Sequence, residues 1–270
     1  MKKDKRDLKI VRRDTLKSLI NMYKKANAGH IGASLSCLDI LISLYFSQMK
    51  EGDKCVLSKG HAAAAIYAVL NQKGIISEEQ LDTFYKDGTY LSAHPPCGYG
   101  KIEGIEFGTG SLGHGLSLAT GMALAAKLSK KNTKIYCIVS DGDCNEGSTW
   151  EAIMFAAQHK LDNLVVIFDN NKLQGFGRSK DVIDLEPVLD KWKAFNFEVF
   201  EVKDGNDIQE LLQQFDSINR SKSDKPKCMV ARTLKGSGVS FMTDKLEWHY
   251  LPMNDEQFAK AIKEVEALDA

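Results

Sequence analysis

The sequence predicts an open, doubly wound α/β fold with a mainly parallel sheet flanked by helices, on three observations. Short continuous runs of β-branched and aromatic residues recur along the chain, the pattern of parallel strands buried on both faces. Segments of helical periodicity alternate with these runs, which implies right-handed crossovers between strands. No linker, repeat or low-complexity tract interrupts the series, so residues 1–270 read as a single domain.

The elements follow in order. Residues 6–27 carry Leu8, Val11, Leu16, Leu19, Ile20 and Tyr23 at helical spacing, with Gly29 as the stop. A second helix is read at 36–47, a short strand at 54–57, and a buried helix at 61–73 ended by Gly74. Ser77-Glu78-Glu79-Gln80 caps a helix running to Lys86. A glycine-rich loop, 108–115, feeds a helix at 116–129. Residues 134–140 form a strand, followed by a polar turn and a helix at 149–159. Strands at 163–169, 197–202 and 228–232 follow, and a helix at 255–268 comes after them.

Composition bounds the function. Lys plus Arg (36) balance Asp plus Glu (36), which argues against a dedicated nucleic-acid binder. No apolar run approaches the roughly 20 residues of a membrane span; the stretch 35–46 is broken by Asp39. Residues 1–13 are charged and lack the apolar segment of a signal peptide. Six cysteines (Cys37, Cys55, Cys97, Cys137, Cys144, Cys228) form no C-x-x-C pair and read as reduced core thiols. A soluble cytoplasmic protein is expected.

In doubly wound sheets ligands bind beyond the carboxyl ends of the strands. Two such ends are polar here: Ser140-Asp141-Gly142-Asp143-Cys144-Asn145-Glu146-Gly147, and Phe168-Asp169-Asn170-Asn171-Lys172-Leu173. Each alone is a common kind of turn, and Ser148-x-x-Glu151 explains part of the first as a capping box. Together they bring the Asp141 carboxylate and the Asn171 amide oxygen to one crevice beside a helix start. Hard oxygen ligands suit Mg2+ (or Ca2+ or Mn2+) shared with phosphate oxygens, and helix N–H groups add anion affinity. No G-x-x-x-x-G-K-[ST] occurs, so this is not a P-loop. Cys144 in the first turn has no base paired with it in sequence, which argues against a nucleophile.

These segments resemble the thiamine-diphosphate motif, and the surrounding sequence narrows the resemblance to transketolases. Ala28-Gly29-His30-Ile31-Gly32, Val56-Leu57-Ser58-Lys59-Gly60-His61 and His94-Pro95 are similar to the family's histidine segments. Thr109-Gly110-Ser111-Leu112-Gly113-His114-Gly115 is similar to its glycine loop. Trp150-Glu151-Ala152, Lys235-Gly236-Ser237-Gly238 and Glu247-Trp248-His249 continue in family order, so the likeness spans about 10–255.

The resemblance implies a thiamine-diphosphate-binding fold. It implies that Asp141 and Asn171 hold the metal by side chains and Leu173 by its carbonyl. Gly142, His61, Lys235 and His249 are then placed at the diphosphate, and Gly110, Ser111 and Leu112 near the cofactor rings. His30, His61, His94 and His249 line the substrate channel, where a near-neutral imidazole suits hydroxyl binding and proton transfer. Glu151, with Glu146, matches an acidic pair joining two cofactor sites across a subunit interface, although capping accounts for Glu151 equally well. Ser140, Pro96 and Tyr250 depart from the pattern; the last two put sugar specificity in doubt.

Single-chain transketolases are more than twice this length. The resemblance therefore implies the amino-terminal subunit of a split transketolase, with a separately encoded subunit supplying the pyrimidine-binding domain, as α2β2. The implied activity moves a two-carbon ketol unit from a ketose (phosphate) donor to an aldose (phosphate) acceptor. Two rivals remain open: a 2-oxo-acid decarboxylating or acyl-transferring enzyme of unusual sugar biosynthesis, and a non-catalytic scaffold subunit.

Overall fold

The computed structural model of the protein describes residues 6–96 and 102–269. Cys97 and residues 1–5 lie outside the described residues. In chain order the elements are α1 (Leu8–Ala26), α2 (Ile31–Ser43), β1 (Lys54–Leu57), α3 (Ala63–Gln72), α4 (Glu78–Leu81), α5 (His114–Leu128), β2 (Ile135–Ser140) and α6 (Gly147–Gln158). Then come β3 (Leu164–Asn170), α7 (Ser179–Val182), α8 (Val188–Ala194), β4 (Glu198–Val202), α9 (Ile208–Arg220), β5 (Lys227–Arg232) and α10 (Asp255–Glu266).

The five strands form one parallel sheet in the order β1-β2-β3-β5-β4. Because side chains alternate across a strand, β2 and β3 feed two cores. Tyr136, Ile138, Val165 and Ile167 pack with α1, α2, α3, α9 and α10 on one face. Ile135, Cys137, Val139, Val166 and Phe168 pack with α5, α6 and α8 on the other. Covered faces explain why β2 is apolar from Ile135 to Val139 and β3 from Leu164 to Phe168, with polar residues only at their carboxyl ends, and the doubly wound reading holds. The five cysteines among the described residues are free and buried.

Several boundaries move, each for a local reason. The stop of α1 is Asn27, not Gly29: Asn27 is left-handed (φ 47°) and its N–H bonds back to Lys24 and Tyr23. The second helix begins at Ile31 instead of Ser36, and a wider π turn over Leu44–Gln48 extends it. This continuous helix, Ile31–Gln48, is by length and composition apolar enough to cross a membrane, a correction to the apolar-run reading. It is 89% buried inside the fold, where Asp39 is met by Arg12 at 2.7 Å.

Ser77 and Gln80 do form a reciprocal capping box, but α4 ends at Leu81, short of Lys86. The Ser148-x-x-Glu151 capping box is absent. Helix α6 starts earlier, at Gly147 after Glu146, with no side-chain cap, and Ser148 Oγ donates to the carbonyl of Gly113 at 2.9 Å.

Candidate active site

Strand ends β1, β2, β3 and β5 all point one way, so the segments that follow them meet at one edge of the sheet. Asp143 organises the first two. Its Oδ1 accepts from Ser58 Oγ (2.6 Å) and Gly113 N (2.8 Å); its Oδ2 accepts from Ser140 N and Ser140 Oγ (both 2.8 Å). Ser140, a departure from the family motif, thus contributes a hydroxyl to this node. Asp169 organises the others. It pairs with Lys59, with both side chains almost fully buried, and accepts from Thr233 Oγ1 and from Ser36 Oγ (2.6 Å). The Asp169 node leaves no local sequence signal, since Lys59 and Asp169 are 110 residues apart.

Between these nodes lies a cavity of about 240 Å3. Among the sequence candidates, His30, His61, Gly110, Leu112, Asp141, Gly142, Asn171, Leu173, Lys235 and His249 line it. The rings of His30, His61 and His249 stand 5.0 to 5.7 Å apart, centre to centre. Gly29 admits this corner, because a Cβ there would lie 2.4 Å from the carbonyl oxygen of Tyr250. The candidates His94, Ser111 and Glu151 are not in the lining. His94 sits beside it, its Cδ2 3.3 Å from where a Cβ of Gly110 would be. Ser111 is exposed on the loop, Glu151 is exposed on α6, and Glu146 is exposed just before that helix.

The oxygen donors are aimed by their neighbours. Asp141 Oδ1 accepts from Asn170 Nδ2 (2.7 Å) and Oδ2 from Lys172 N (3.2 Å). Asn171 Nδ2 donates to Ser36 Oγ (2.9 Å), and its Oδ1 accepts from Leu173 N (3.0 Å). Burial and the charge of Asp169 raise Asp141 to about 6.

Lys235 is 1% exposed. It donates to the carbonyls of Leu173 (3.0 Å) and Gln174 (3.5 Å) and to His249 Nδ1 (2.7 Å), but to no carboxylate among the described residues. Burial and the charge of Lys59 bring it down to about 7. Burial, then Lys235, His30 and Lys59, hold His249 down at about 3. His61 is lowered well below its usual range by burial and Lys59, His30 by burial and His94. All three rings are therefore neutral at pH 7, with His249 Nδ1 lying 2.7 Å from Lys235 Nζ. Cys144 is pushed well up by burial and Asp143, which removes it as a nucleophile.

Sequence reasoning missed Gln174, whose buried Nε2 has no partner while its Oε1 accepts from Asn145 (3.0 Å). It also gave Tyr250 no contact; the hydroxyl donates to the carbonyl of Gly175 (2.8 Å) at the cavity rim.

Sheet and cavity together define a class: an α/β protein whose polar site lies at the carboxyl edge of an all-parallel sheet. The chain belongs to the transketolase family: residues 10–267 match the family described as transketolase, thiamine diphosphate binding domain. It is 42% identical over 258 residues to the A-subunit of the apulose-4-phosphate transketolase of Phocaeicola vulgatus, covering 92% of this chain and 90% of that protein. It is 39% identical over 266 residues to 6-deoxy-6-sulfo-D-fructose transketolase subunit SqwG of a Clostridium species, covering 95% and 94%. The crystal structure of Campylobacter jejuni transketolase superposes with a TM-score of 0.84 at 29% identity, covering 96% of this chain and 43% of that one.

Proposed function

We propose that this chain is the diphosphate-holding subunit of a heteromeric transketolase, moving a two-carbon ketol unit from a ketose (phosphate) donor to an aldose (phosphate) acceptor. One observation carries the reading: a buried ammonium without a counter-ion among the described residues, Lys235, shares a cavity with the oxygen donors Asp141 and Asn171. A buried charge without a partner is costly, and an anionic ligand supplies the missing partner. The orphaned Nε2 of Gln174 adds a donor for the same anion. Asp141, Asn171 and the Leu173 carbonyl are hard donors suited to Mg2+, with Ca2+ or Mn2+ as substitutes.

Thiamine diphosphate, when bound, supplies the electron sink that lets a carbon–carbon bond beside a carbonyl break and form. The chain's own residues bind and orient. Lys235, His61 and Gly142 hold the diphosphate end, while Gly110 and Leu112 border the path toward the rings. His30, His61 and His249, neutral and half-buried, bind sugar hydroxyls and relay protons.

Relatives that are themselves named as single subunits of transketolases support a second subunit. We infer that it is separately encoded and carries the pyrimidine-binding domain, that the assembly is α2β2, and that it works in the cytoplasm. Glu146 and Glu151, exposed and free of capping duty, fit its interface. The test is reconstitution. The chain with its partner should convert xylulose 5-phosphate and an aldose phosphate only when thiamine diphosphate and Mg2+ are present. Turnover by the chain alone, or turnover of pyruvate but not of the ketose, would refute this reading.

A further inference from the structure

Asp141 also lines a second cavity, of about 550 Å3, together with Asn170 and Glu186. Beside it runs a set of contacts that the binding role does not use. Arg232 closes β5 directly opposite Asn170 in the β3–β5 register. Its guanidinium donates to Asn170 Oδ1, to Glu186 Oε1 (2.7 Å) and to Glu201 Oε1 (3.0 Å). Asn170 in turn donates through Nδ2 to Asp141 Oδ1 (2.7 Å).

The chemistry of the three groups fixes their order. A guanidinium has only donors, and an ionised carboxylate only acceptors. An amide between them satisfies both, with its oxygen toward the arginine and its nitrogen toward the aspartate. Arg232 therefore decides which way the Asn170 amide faces. Two glutamates from different segments hold the guanidinium in turn, which limits its freedom to swing away. At the far end, both oxygens of Asp141 are engaged, one by Asn170 and one by Lys172 N. Rotation of the carboxylate is thus blocked, while each oxygen keeps a second lone pair.

We propose that Arg232, acting through Asn170, is a positioning residue that fixes the Asp141 carboxylate in the orientation needed to hold a divalent cation. This rests on the reading of Asp141 as a cation ligand. Partners behind a ligand typically carry about 10–100-fold of metal affinity.

The test measures the Mg2+ concentration that half-saturates thiamine diphosphate binding, by calorimetry on the chain with its partner subunit. Arg232→Met should raise that concentration about tenfold or more, and Asn170→Ala should do the same. The double variant should lose no more than either single one, because both act on one line of contacts. Arg232→Lys, which keeps one charged donor, should recover part of the loss. The unfolding midpoint of the cofactor-free chain is read in parallel, and the Mg2+ shift should persist well below it.

An unchanged Mg2+ requirement in Arg232→Met, or fully additive losses in the double variant, overturns the proposal. Should Arg232→Met not fold, Arg232→Lys and Asn170→Ala decide by the same criterion. If the wild-type pair binds no thiamine diphosphate with Mg2+, the functional reading itself fails and the positioning role with it.

Discussion

Lys59 and Lys235 are buried to the same degree, each 1% exposed, yet they are built differently. Lys59 is paired with Asp169, itself fixed by Ser36 and Thr233. Burial works against the charge of Lys59, but the Asp169 carboxylate outweighs it and the ammonium sits above its usual range. Lys235 has carbonyls and an imidazole instead of a carboxylate, and falls to about 7. The first charge is settled within the fold, joining the ends of β1 and β3. The second has no carboxylate partner among the described residues, which is what the anion-holding role proposed for it requires. Burial alone does not separate a structural lysine from a binding one; the counter-ion does.

Removing the counter-ion of the settled lysine should have the largest effect. Asp169→Asn strands the Lys59 charge, and urea unfolding of the cofactor-free chain should show a loss of about 3–5 kcal/mol. A loss below the usual surface-mutation range of about 0.5 kcal/mol would mean that the pair is not structural.

Lys235→Met should act in the opposite sense. Replacing an unpaired buried ammonium by a side chain of similar volume should leave cofactor-free stability unchanged or improved. Thiamine diphosphate affinity should fall about 30-fold or more, as when one partner of a buried charge pair is truncated. Intact affinity in a calorimetric titration would erase the contrast between the two lysines.

The histidines beside the lysines give the smallest effect. His61, near Lys59, and His249, near Lys235, lie below the ordinary value of 6.5. The unfolded chain binds those protons at about 6.5 and the folded chain does not, so stability is complete above that pH and declines below it. The thermal midpoint of the cofactor-free chain should therefore drop between about pH 7.5 and 5.5. His249→Asn should make the drop shallower, and a flat wild-type profile would count against half-buried neutral rings.

Much of this is legible in the chain. The central strands β2 and β3 show as apolar runs because both faces of the sheet are covered there, whereas the edge strand β4, only partly buried, carries Glu198 and Glu201 among its apolar residues. Asp141, Asn171 and Lys235 can be placed because strand ends in such sheets converge. Other features depend on three-dimensional pairing. The Lys59–Asp169 pair spans 110 residues, and neither residue has a spacing that points to the other. Ser148-x-x-Glu151 has the letters of a capping box, but α6 begins at Gly147, so Ser148 already lies inside the helix and its hydroxyl turns to the Gly113 carbonyl. That carbonyl belongs to the glycine loop, far off in sequence, and nothing local announces it. Helix α9 is passed over by the sequence reading, although Asp207 caps it and Leu211, Phe215 and Ile218 share its buried face; strand-like runs on either side dominate that stretch.

Asp143 binds three separate segments through four short bonds before any ligand arrives. The glycine loop that ends at Gly113 is thereby moulded during folding, and little conformational freedom is left there to surrender at docking. A guest meets a finished seat, so its arrival at this edge resembles a key entering a cut lock more than a hand closing on an object.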